Sequence, residues 1–66
     1  MSENQQENNR EKFLRAYANL PLSTRTEIIL VLDKGPMTWD VAYFEVKNRT
    51  KKSEEILHKL ALMDLI

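Results

Sequence analysis

Apolar residues along this chain gather into four runs, separated by polar or turn-forming residues. In the first, Phe13, Tyr17 and Leu20 fall at i, i+4 and i+7, and Leu14 with Ala16 or Ala18 widens the stripe. That spacing predicts an amphipathic helix over about 9–19. Asn8 and Glu11 have the spacing of a capping box, and Pro21 stops the helix by disfavouring the α region for Leu20.

The second run, Ile28 to Leu32, is continuously apolar. Such a run suits either a buried strand or a helix buried on every side. Thr24 and Glu27 fit a second capping box, and "DKGP" fits a C-terminal stop with Gly35 at C′. Those two ends favour a helix over about 25–34.

In the third run Trp39, Ala42, Tyr43 and Val46 repeat as i, i+3, i+4 and i+7, behind a possible Thr38 cap and an early Asp40. This reads as a helix at 38–47 ending near Asn48. The alternation of Trp39, Val41 and Tyr43 also suits a strand, so helix against strand stays open for 39–46. The fourth run predicts a helix over about 51–63, capped by Thr50. Its Ser53, Ile56, Leu57, Leu60 and Asp64 lie on one side, and Lys51, Glu55, His58 and Leu62 on the other.

Residues 1–8 have no apolar residue after Met1 and are expected to form a disordered polar tail. The expected fold of 9–66 is all-α: a tri-helical helix–turn–helix preceded by an extra N-terminal helix.

Composition narrows the function. The chain has 66 residues and no cysteine, with 10 basic and 10 acidic side chains. A core of this size is only marginally stable alone, and no disulfide can staple it. Zinc held by thiolates is excluded, and one histidine builds no metal site. Zero net charge argues against a strong non-specific nucleic-acid binder. The polar tail holds Glu3 and Glu7, however, so residues 9–66 carry 10 basic and 8 acidic groups, a net of +2. There is no signal peptide and no apolar stretch long enough to span a membrane, so an intracellular, cytoplasmic protein is expected. With one glycine, no phosphate-cradling loop is possible. Ser23, Ser53 and His58 make no recognisable triad. No enzyme activity, cofactor, metal or small-molecule substrate is expected.

"LSTRTEIILVLDKGPMTWDVAYFEV", a short basic turn and "ILHKLALMDLI" together resemble the core of winged-helix repressors of the metal-sensing and antibiotic-resistance classes. The matching positions are Leu22, Arg25, Ile28, Ile29, Leu32, Gly35, Pro36, Met37, Thr38, Val41, Ala42, Leu57, Leu60, Leu65 and Ile66, over about 45 residues. The most specific piece runs from Leu32 to Thr38. The resemblance implies a support helix at 38–47, a recognition helix at 51–63 and a role in transcription regulation. Asp64 stands where the family has glycine, and "RTKKSEE" replaces the usual serines and threonines. The sequence ends at Ile66, where the family's β-hairpin wing would begin, so a winged-helix-like core without a clear wing is expected. No metal-sensing cysteines are present.

On that frame Lys47, Arg49, Lys51 and Lys52 would hold phosphates of double-stranded DNA at the start of the recognition helix. Thr50, Glu55 and His58 would reach base edges. The alternative is an ordinary solvated turn, with Lys51 and Glu55 paired at i, i+4. Val41, Phe44 and Leu62 are surplus apolar residues on outward faces, and Leu22 sits in a loop. Together they suggest a dimer or partner surface, either for a homodimer or for another protein. The second functional reading is therefore a winged-helix-like protein-interaction module that binds no nucleic acid.

Overall fold

The computed structural model describes residues 2–33 and 35–66, with backbone alone over 2–6. Its elements in chain order are α1 (Ser2–Ala18), β1 (Ile28–Leu32), β2 (Gly35–Thr38), α2 (Trp39–Lys47) and α3 (Lys51–Leu62), with one 3₁₀ turn at Thr24–Thr26 ahead of β1. β1 and β2 pair antiparallel as a two-stranded sheet. The fold is a small mixed α/β domain and not the all-α one expected.

The difference lies in the second apolar run. Residues 28–32 form a strand where the flanking cap signals predict a helix over 25–34. A helix buried on every side needs neighbours all round it, which a chain of 66 residues cannot supply. Ile28, Ile29 and Val31 are β-branched and suit a pleated surface. Glu27, expected to complete a capping box, is already extended at φ −81°, ψ 146°. The "GP" expected to end a helix instead opens β2. Leu32 pairs with Gly35, leaving two positions between the strands. Gly35 has φ +121°, a conformation that side chains rarely adopt and that glycine takes without strain.

Leu30, Leu32 and Met37 point into the core from the hairpin. A register shift between Ile28 and Leu30 interrupts the alternation, and Ile28 ends 59% exposed. One extra residue in a strand turns the residues after it to the other face. Val31 is 69% exposed on the outer face.

α1 starts at Ser2 and runs through the segment expected to be a tail, apart from Met1, which lies outside the described residues. Asn8 and Glu11 are therefore inside the helix and cap nothing. Glu, Gln, Lys and Arg are good helix formers, and Arg49 Nη1 donates to Glu7 Oε1 at 2.9 Å, tying this part of α1 to the turn before α3.

α2 and α3 start where the sequence indicates. Thr38 accepts the Val41 amide and Thr50 accepts the Ser53 amide, each at 3.2 Å. Each of these caps contributes about 1 kcal/mol. Both helices end in the same motif. Arg49 N–H reaches Val46 O and Thr50 N–H reaches Glu45 O. Asp64 N–H reaches Ala61 O and Leu65 N–H reaches Leu60 O. These are paired Schellman closures. Their left-handed residues are Arg49 at φ 53° and Asp64 at φ 61°, so neither is glycine.

The core joins all the elements. Phe13 of α1 is fully buried, stacked 5.7 Å from Trp39 and 6.2 Å from Tyr17. Ala42 and Val46 of α2 and Ile56, Leu57 and Leu60 of α3 complete it. Trp39 N–H donates to Glu27 O at 3.3 Å, carrying the hairpin's pairing to the first residue of α2.

Candidate nucleic-acid interface

α2 and α3 follow one another across the three residues 48–50 and pack together. α3 buries Ser53, Ile56, Leu57 and Leu60. Its outward side carries Lys51, Glu54, Glu55, His58 and Leu62, all exposed. The two sides of this helix are those its spacing indicates, except that Asp64 is exposed.

The basic residues are not equivalent. Lys47, at the end of α2, has its Nζ 6.0 Å from the Tyr43 ring centre, so its stem lies along an aromatic face. Arg49 is committed to Glu7 through an ion pair whose side chains are 60% and 57% exposed. Such an exposed pair contributes little to stability, but it reduces the charge Arg49 offers. The arginine's hydrogen bond, then its charge, holds the Glu7 carboxyl below the ordinary carboxylate range. Lys51 is exposed and Lys52 half-buried at the first turn of α3, where the positive end of the helix dipole adds to their charge.

Thr50, expected to reach a base edge, is engaged locally. Its hydroxyl takes the Ser53 amide and donates to the Glu45 carboxylate. Glu55 pairs with Lys59 at 3.5 Å and not with Lys51. Both members are nearly half exposed, so this pair can be given up to a ligand. His58 is exposed on the same side.

The surplus apolar residues fall into two groups. Val41 and Phe44, 46% and 62% exposed, lie on α2. Leu62, 73% exposed, lines an open groove of about 530 Å³ with Met63, Lys59 and residues 28–31 of β1. A helix over 25–34 would bury those residues, so the sequence pattern alone gives no sign of this groove.

Two further arrangements carry no sequence signal. Tyr17 and Tyr43 stack at 4.2 Å with 6° between their planes. The Arg25 guanidinium lies 4.3 Å from the centre of the Tyr17 ring and donates to the Tyr17 carbonyl. The Tyr17 hydroxyl donates to Asp40, and this bond is the main cause raising its pKa. The stack ties α1, the 3₁₀ turn and α2 together.

Among the described residues, no helix is long and apolar enough to cross a membrane, and no three His, Cys, Asp or Glu side chains converge on a possible metal position. No family model, curated protein or solved structure matches the chain.

Proposed function

We propose that the chain is a small DNA-binding helix–turn–helix protein, acting as a transcription regulator, with α3 as the helix that enters the major groove. The observation that carries this reading is the α2–turn–α3 unit. Its outward helix face is polar, and Lys47, Arg49, Lys51 and Lys52 cluster around that helix's start. Phosphates would be held by Lys47, Lys51 and Lys52, with Arg49 joining once Glu7 lets go. Glu55 and His58 lie on the face that would meet base edges, where glutamate accepts from cytosine and histidine donates. Thr50 positions the first turn of α3 and does not read bases.

The test is binding to a duplex across a range of salt concentrations. Three phosphates neutralised per protomer give a slope of log K against log salt of about −2.7, and four give about −3.6. A flat response contradicts the reading.

A second reading, contact with protein alone, is favoured by Glu54 and Glu55 on the same helix face, by the Arg49–Glu7 pair and by the zero net charge. Replacing Lys51 and Lys52 with glutamate separates the two. It weakens duplex binding about a hundredfold or more on the first reading and leaves association intact on the second.

A further inference from the structure

The hairpin has two edges, and the sequence treats them differently. Pro36 stands opposite Val31 in β2. Proline has no N–H, so this pair is a non-hydrogen-bonded one, and Pro36's nitrogen faces the outer side of β2. No further strand can pair fully there. β1 has neither proline nor charge from Ile28 to Leu32. Val31, opposite Pro36, turns its own N–H and C=O to the outer side of β1. Open edges are usually guarded by charge, proline or a covering element. Pro36 guards β2; in β1 the irregularity between Ile28 and Leu30 interrupts the start of the strand, and Leu30 to Leu32 are left without a guard.

Beside that open edge runs the groove lined by Ile28, Val31, Leu62 and Met63, with Lys59 at its rim as the charged residue. The four apolar side chains are between about half and three-quarters exposed. A stable interface takes about 800 Å² from each partner, about a sixth of this chain's 4713 Å². Among the described residues, four of the eight exposed large hydrophobic side chains, Ile28, Val31, Leu62 and Met63, fall on this one groove.

We propose that β1 pairs antiparallel with β1 of a second copy, forming a four-stranded sheet across a two-fold axis. With β2 blocked by Pro36, β1 against β1 is the strand pairing open to two copies, over the regular stretch Leu30 to Leu32 centred on Val31. Each copy's Ile28 and Val31 then pack towards the other's Leu62 and Met63. The partner strand is identical and uncharged over the paired residues, so no like charges meet within it. This interface lies apart from the basic start of α3 and does not rest on the DNA reading.

The test combines sedimentation equilibrium of the full chain, from micromolar to millimolar, with amide hydrogen exchange at both ends of that range. A monomer–dimer equilibrium is expected, with the Val31 amide slow to exchange in the dimer and fast in the monomer. Val31→Lys places two like charges near the axis and weakens the dimer about tenfold or more, with an unchanged helical signal. Phe44→Ser, on α2, leaves the dimer constant unchanged. A monomer throughout would overturn the proposal and leave the edge to a foreign strand. So would a dimer whose Val31 amide exchanges freely, or one that breaks on Phe44→Ser and survives Val31→Lys.

Discussion

At its first turn α3 is surrounded by charge and hydrogen bonds. Thr50 caps it, Lys51 and Lys52 open it, and the Arg49–Glu7 pair crosses to α1 beside it. At its last turn the same helix ends in Leu62 and Met63, which share an apolar groove with Ile28 and Val31. Both ends rest on one buried stripe, Ile56, Leu57 and Leu60. A twelve-residue helix thus presents two surfaces of opposite chemistry. The first is suited to an anion and the second to an uncharged strand. The division arises because the stripe fixes which way the helix faces, while its flanking residues decide what each end offers.

The largest effect comes from removing what the two ends share. Ile56→Ala empties a fully buried position and costs about 2–5 kcal/mol. Thermal unfolding monitored by circular dichroism measures it, and both surfaces are lost together. Lys51→Glu with Lys52→Glu separates the ends. Duplex affinity falls about a hundredfold or more, while the Val31 exchange behaviour stays as in the parent chain.

Asp64→Gly acts at the apolar end only. It relieves a left-handed side chain at φ 61° and raises stability by about 1 kcal/mol. The melting temperature then rises by about 4–8 °C, with duplex binding unchanged. An equal gain is not expected from Arg49→Gly at φ 53°, which also gives up the Glu7 pair.

The smallest effect sharpens the basic end. Glu7→Gln frees Arg49 and moves the salt slope from about −2.7 towards −3.6 per protomer. Acid should do the same in the parent chain. Glu7's pKa is lowered in the folded protein, so its pair with Arg49 contributes above the ordinary carboxylate pKa. The contribution is lost as pH falls through the lowered value. The acid-induced change in slope is therefore expected in the parent chain and diminished in Glu7→Gln.

The α2–α3 half is largely legible in the sequence, although the alternation of Trp39, Val41 and Tyr43 leaves helix against strand open for 39–46 until the structure shows a helix. Thr38 and Thr50 cap as their types and positions indicate, and the apolar spacing of residues 39–47 and 51–62 matches the faces observed. The hairpin half is not, because its punctuation is ambiguous. A glycine followed by proline suits a helix end and a tight turn equally. A threonine three residues before a glutamate suits a capping box and also the single 3₁₀ turn found here. The features that decide in favour of a strand are the shortness of the apolar run, five residues, and its β-branched content. Taking "IILVL" for a helix hides both the groove and its open edge. The pairing of Arg49 with Glu7 is out of reach for another reason. It spans 42 positions, and nothing local in the sequence marks it.

The most direct measurement is an amide chemical-shift titration of the labelled chain with a short duplex, at low and then moderate salt. If α3 enters the major groove, shifts concentrate in residues 47–58 and shrink as salt rises, with Ile28 to Val31 unmoved by DNA. An absence of shifts at low salt, or shifts centred on β1 and Leu62 instead, would contradict that placement.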